Sequence, residues 1–256
     1  MARAIDINCD MGESFGRWTL GNDAALMPLI TSANIACGWH AGDPATMRET
    51  VRLAVEHGVG IGAHVAFPDL LGFGRRRMDV SPEEVYEYTL YQAGALQAFA
   101  QAAGSRLQHV KPHGAFYVMC AQSEELCQAL CRAIKALGDD VALVMMGEIA
   151  PRAAAAVGVP HAAEGYVDLN YNAQGQLVLE RRKQAWDPDE VARRAEELAL
   201  EGRIRTVDGP DLRAEVQTIC IHGDAPNAPD IAQRVRERLA QAGVEVRPLR
   251  EVLARR

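Results

Sequence analysis

No run of about 18 apolar residues occurs in the chain. A bilayer-spanning helix needs one, so no membrane span is expected. Basic residues do not dominate either: 27 Lys and Arg stand against 34 Asp and Glu, a formal net charge of −7. Nucleic-acid binders carry a basic face, and anionic membrane surfaces attract basic segments, so neither partner is expected. The opening residues Met1-Ala2-Arg3-Ala4-Ile5-Asp6-Ile7-Asn8 run into a strand-like pattern without an apolar signal segment, which makes the cytoplasm the expected location. The six cysteines (Cys9, Cys37, Cys120, Cys127, Cys131, Cys220) include no Cys-x-x-Cys pair. In a reducing compartment they read as small buried hydrophobes. The dinucleotide fingerprint Gly-x-Gly-x-x-Gly is missing after the first strand, where Cys9-Asp10-Met11-Gly12-Glu13-Ser14-Phe15-Gly16 stands. The Gly-x-x-x-x-Gly-Lys-Ser/Thr phosphate loop is absent too. With no internal repeat, low-complexity tract or linker, the 256 residues read as one domain.

What is present is alternation of short apolar runs with longer helical patterns. The runs fall at 4–9, 33–37, 59–63, 107–110, 141–146, 162–167, 218–221 and 244–249. Runs of this length separated by helices indicate βα units and a mainly parallel sheet. Ser81-Pro82-Glu83-Glu84 is a capping box with proline at the first helical position, and its helix is expected to reach Ala103 before Gly104. Asp43-Pro44 opens a helix ending near Gly58, Asp187-Pro188 one ending near Gly202, and Asn227 one closing before Gly243. Residues 173–182 and 203–215 read as hairpins or long loops. Without a nucleotide fingerprint, a barrel is favoured over a doubly wound sheet.

Nearly every strand-like run ends in ionisable residues. The first reads Asp6-Ile7-Asn8-Cys9-Asp10, with Glu13 beyond it. Later runs end in Cys37-Gly38-Trp39-His40-Ala41-Gly42-Asp43, Gly62-Ala63-His64, Lys111-Pro112-His113-Gly114 and His222-Gly223-Asp224. In α/β barrels the site forms at these strand ends. Five of the seven histidines (His40, His64, His109, His113, His222) lie near them, and His57 and His161 do not. Asp6, Asn8 and Asp10 alternate, so they share one face of the first strand. A parallel sheet is covered on both faces, and buried carboxylates need partners, which His or Lys of neighbouring strands would supply. The same alternation is not a calcium loop, because Met11 and Arg17 occupy the positions that need Gly and Glu.

Lys111 at a barrel mouth suits an oxyanion or a phosphoryl group. His40 with Asp43, and His222 with Asp224, each offer an imidazole and an orienting carboxylate. Asp43 before Pro44 reads equally well as a helix N-cap. Arg75, Arg76 and Arg77 follow Gly72-Phe73-Gly74 and could grip a substrate or phosphate, with at least one of them a solvated charge. Asp10, His40 and His64 supply one carboxylate and two imidazoles from three strands, a common set for catalytic zinc or iron. A divalent metal is therefore a candidate cofactor.

Taken in this order, the clusters resemble the LamB/YcsF family, the A subunit of bacterial 5-oxoprolinase. The matching stretches are 6–13 (DINCDMGE), 26–43 (LMPLITSANIACGWHAGD), 62–78 (GAHVAFPDLLGFGRRRM), 111–117 (KPHGAFY) and 220–224 (CIHGD). The resemblance covers almost the whole chain. It implies a seven-stranded (β/α) barrel, similar to the glycoside hydrolase/deacetylase superfamily, as a single domain over 1–256. It implies ATP-dependent opening of the lactam ring of 5-oxo-L-proline to L-glutamate, in a complex with B- and C-type subunits. With no phosphate loop here, the ATP site is unorthodox or shared with those partners. By matching motif, Asp10 and Glu13 would be general base or substrate-amine contacts. Lys111 would stabilise the oxyanion or phosphoryl, and His40, His64 and His113 would be acid/base groups or ligands. His222 and Asp224 would complete the rim, and Asn8, Asn34, Asp43, Arg75 and Arg76 would contact substrate.

The chain departs from the family pattern at several points. Val65-Ala66 replace a Pro-Gly after His64, Leu169 replaces the arginine ending an E-x-F-A-D-R stretch, Glu180 stands where a later arginine is usual, and Ala225 replaces a threonine. Arginine is the natural partner of a carboxylate or phosphate, so these changes bear on substrate choice. Two further readings stay open: a metal-dependent hydrolase of another lactam or N-acyl compound, and a non-catalytic partner subunit.

Overall fold

The computed structural model describes residues 3–178 and 185–255. In chain order the parallel strands are β1 (Ala4–Met11), β2 (Ser32–Ala36), β3 (Gly60–Val65), β4 (Leu107–Pro112), β5 (Ala142–Val144), β6 (His161–Ala162), β7 (Glu164–Tyr166), β8 (Thr218–Ile221) and β9 (Glu245–Val246). The main helices are α1 (Pro44–His57), α2 (Pro82–Ala102), α3 (Gly114–Gln122), α4 (Glu124–Leu137), α5 (Ile149–Val157), α6 (Pro188–Glu201) and α7 (Ala228–Gln241).

The helix starts follow the local chemistry read from the sequence. Ser81 accepts a hydrogen bond from the Glu84 N–H while Glu84 reaches back to the Ser81 backbone, closing the capping box of α2. Asp43 caps α1 through the N–H groups of Ala45 and Thr46, and Gly58 ends it in the left-handed region. Asp187 and Gly202 bound α6 in the same way. Among the described residues, no helix is long and apolar enough to cross a membrane. All six cysteines are buried free thiols.

The chain divides into two compact units. The first comprises the described residues of Met1–Cys9, Asn22–Ser32 and Glu164–Arg256, the second Asp10–Gly21 and Ala33–Ala163. In the first unit β8 lies between β1 and β7, and β9 pairs with the start of β1. The β1–β8 register matches Asp6 with Thr218 and Asn8 with Cys220. Residues 170–178 form a small antiparallel ribbon, Asn170–Tyr171 against Leu177–Val178, and Arg203–Ile204 pairs with Leu212–Arg213. The second ribbon falls within 203–215, and the first overlaps 173–182 only in its turn and second strand, its first strand starting at Asn170. Residues 179–182, with Glu180, lie outside the described residues.

In the second unit the order is β6-β5-β4-β3-β2, and β3 and β4 match His64 with Lys111. The fold class is the expected parallel-strand α/β barrel, but the expected count of seven strands is corrected. Among the described residues the two orders hold eight strands, with β9 added at the start of β1. The apolar run at 162–167 is two strands rather than one. It breaks at Ala163, so that β6 pairs with β5 while β7 pairs with β8.

Both faces of β1 are buried. Ile5, Ile7 and Cys9 line one face, and Asp6 and Asn8 are equally covered on the other. Asp6 is tolerated there because three hydroxyls serve it: Thr31 and Ser32 donate to Oδ1, and Thr218 donates to Oδ2. Burial still pushes its carboxyl up to about 6, against those hydrogen bonds.

Candidate active site

The second unit gathers most of the expected site residues at its strand ends. Asp10, at the end of β1, receives hydrogen bonds on Oδ1 from Asn34 Nδ2 (2.8 Å) and Lys111 Nζ (3.2 Å). Lys111 is 2% exposed, so Asp10 is the counter-charge that makes a buried ammonium tenable. Asn34 is itself fixed from behind, since His109 Nε2 stands 2.7 Å from its Oδ1. Gln108 faces the other nitrogen of His109. Burial pushes the His109 imidazole down to about 3, so it is the neutral donor of this chain. The approach depends on Gly62, which pairs with His109 across β3 and β4. A Cβ on residue 62 would clash with the Nε2 edge of the His109 imidazole.

Three imidazoles and Glu13 pack beside this pair. His64 Nε2 lies 2.9 Å from His113 Nδ1 and 3.4 Å from Asp10 Oδ2. His40 Nε2 is 3.1 Å from Glu13 Oε1, which is also 3.9 Å from His113 Nδ1. The His40 and His113 rings stack at 3.9 Å. His64 Nδ1 faces the Lys111 carbonyl at 3.0 Å, and His113 Nε2 faces that of Phe73 at 2.8 Å. A carbonyl only accepts, so those two nitrogens carry hydrogen. Burial pushes His40 and His113 well below the usual imidazole range. Burial also opposes charge on His64, but the Asp10 carboxylate more than offsets it, and its pKa is raised.

Other expected contacts are engaged elsewhere. Asp43 spends its oxygens on Ala45, Thr46 and the Gly16 N–H, so the cap accounts for it. Arg76 is ion-paired with buried Asp69. Arg77 donates to Gln122, and Arg75 lies over the Phe73 ring at 5.1 Å. Ala66, at the Val65-Ala66 departure, has its N–H and C=O bound by the Gln92 amide.

In the first unit Asn8 is fully buried and donates to Thr218. His222 follows β8, and the carboxylate on its Nδ1 is Asp168, at 2.9 Å. Asp168 also accepts the His222 backbone N–H at 2.8 Å. The sequence pairing of His222 with Asp224 did not foresee Asp168. Its signals were the acidic residue that follows the sixth apolar run and its match to the aspartate of the E-x-F-A-D-R stretch. Tyr166 stacks on His222. The carbonyl of Leu169 accepts from Arg194, a buried guanidinium lying over Trp186.

The described strand ends thus gather carboxylates, imidazoles and a buried lysine on a parallel-strand α/β fold. Comparison with known proteins identifies the family. The chain belongs to the LamB/YcsF family, whose model matches residues 5–254. The A subunit of a 5-oxoprolinase from one strain of Thermus thermophilus is 48% identical over 246 residues, 95% of this chain and 98% of that one. The crystal structure of a lactam utilization protein from another strain of Thermus thermophilus superposes with a TM-score of 0.88 at 46% identity, covering 96% of this chain and 99% of that one. A deacetylase solved with its substrate shares the fold at a TM-score of 0.50 and 15% identity, covering 99% of this chain and 92% of that one.

Proposed function

We propose that the chain is the A subunit of an ATP-dependent 5-oxoprolinase, a hydrolase that opens the lactam of 5-oxo-L-proline to L-glutamate together with B- and C-type subunits. The observation that carries this reading is the buried Lys111–Asp10 pair, braced by Asn34 and His109. The names of the relatives support the substrate. A five-membered lactam is a stable amide. ATP would supply the phosphoryl group that makes the lactam oxygen a leaving group. Lys111 balances the negative charge of that phosphoryl group as water adds to the ring carbon. Asp10 takes the proton of that water and returns it to the departing ring nitrogen. The carbon–nitrogen bond breaks to an amine and an acyl phosphate, and a second water releases phosphate and glutamate.

The test is to incubate the chain with ATP and 5-oxoproline, alone and with B- and C-type subunits, and to measure glutamate. Glutamate in the assembled complex supports the reading, and its absence from every combination overturns it. Leu169, where the family pattern has arginine, favours a second reading: hydrolysis of another lactam or N-acyl compound. Turnover of such a compound without ATP, and no glutamate from 5-oxoproline, would select it.

A further inference from the structure

We propose that Glu13, His40, His64 and His113 form a binding site for one zinc-class divalent cation. The four groups offer one carboxylate oxygen and three imidazole nitrogens, all within 4.8 Å of one another. Ligands about 2.1 Å from a tetrahedral zinc stand about 3.4 Å apart. The separations found here bracket that spacing: 2.9 Å for His64 to His113, 3.1 Å for His40 to Glu13, and 3.9 Å for His113 to Glu13. Only a small adjustment would bring them onto one ion.

The outer hydrogen bonds point the same way. His64 Nδ1 and His113 Nε2 each donate to a backbone carbonyl, so in neutral rings the two nitrogens facing each other both carry lone pairs. Two lone pairs meet at 2.9 Å only with a proton or a cation shared between them. Metal-bound histidines characteristically donate their outer N–H to a carbonyl or carboxylate. One of these carbonyls comes at a cost, because Phe73 is a non-glycine residue with φ of 54°. Strain of that kind persists where the surrounding structure fixes it and is a pointer to function. Here it aims the Phe73 carbonyl at His113. Glycine flanks it on both sides, and its ring packs on His40 and His113. His40 is fully buried and presents Nε2 to Glu13, the orientation a shared ion would use. Imidazole with carboxylate suits zinc and its neighbours better than magnesium or calcium. Asp10, with Lys111 and Asn34 on it, stays outside the set.

The proposal is independent of the substrate. The full chain is stripped with a chelator, then titrated with Zn²⁺ and Co²⁺ by calorimetry and visible absorption. One Zn²⁺ per chain with micromolar or tighter affinity is expected, and Co²⁺ is expected to give visible ligand-field bands. Glu13→Gln, His64→Ala and His113→Ala are each expected to weaken Zn²⁺ by more than roughly a hundredfold, beyond the loss typical of an outer hydrogen-bond partner. His57→Ala, on the exposed side of α1, is expected to bind as the parent does. X-ray absorption on the zinc-loaded parent, which needs no variant to fold, is expected to count three imidazoles. Failure of the folded parent to bind either ion, a count below three, or full affinity after loss of His64 and His113 would overturn the site.

Discussion

Asp168 holds His222 at two points, accepting its backbone N–H at 2.8 Å on one oxygen and standing 2.9 Å from Nδ1 on the other. The contact fixes the proton on Nδ1 and leaves Nε2 as a base. An Asp168→Asn variant can still accept the backbone N–H, but it turns an amide toward Nδ1 and favours the other tautomer. In the assembled, glutamate-forming complex we expect kcat to fall by about 10²–10⁴ with little change in melting temperature. An unchanged kcat would remove His222 from the chemistry.

Lys111→Met leaves the Asp10 carboxylate in a nearly closed site without its cation. Breaking one side of a buried pair costs about 3–5 kcal/mol. Urea unfolding should show that loss, and glutamate formation should disappear. A doubly changed Lys111→Met, Asp10→Asn chain is expected to regain much of the stability but none of the activity.

Gly62→Ala tests the close approach of His109. The added methyl cannot coexist with the imidazole where it now lies, so the ring must leave and Asn34 loses its brace. Overpacking of this kind costs about 1–3 kcal/mol. The His109 ring signals in an NMR spectrum are expected to shift, and a spectrum identical to the parent's would contradict the packing described.

Asp6 gives the chain a pH dependence of definite sign. Its carboxyl titrates near 6 when folded and near 3.8 in the free state. The folded chain therefore holds this proton more tightly, and the associated stability is present below about pH 4 and lost as pH rises through 6. Asp6→Asn removes the term. The variant's stability relative to the parent is expected to rise on the order of 2 kcal/mol between pH 4 and 7, measured by chemical unfolding at each pH. A parallel pair of curves would show that Asp6 is not the group.

Several features were legible because they are local. The caps at Asp43, Ser81 and Asp187 depend on groups within three residues, and each is found where its motif stands. The polar face of β1 follows from period-two alternation. The site's pairings were less legible. Asp168 and His222 lie 54 residues apart, and Asn34 and His109 lie 75 apart, so no spacing rule relates them. Asp43 carried two readings in the sequence, and only its four hydrogen bonds decide for the cap. The break at Ala163 was hidden because an apolar run reads the same whether it pairs along one neighbour or two.

The sequence by itself determined which residue types stand at the strand ends, since strand period, turn chemistry and capping are set by neighbours along the chain. The tertiary structure decided which of them meet. Asp10 could have faced any cation of the site, and it is the β3–β4 register, His64 against Lys111, that brings Lys111 to it from 101 residues away. A slip of one residue would turn both side chains to the opposite face.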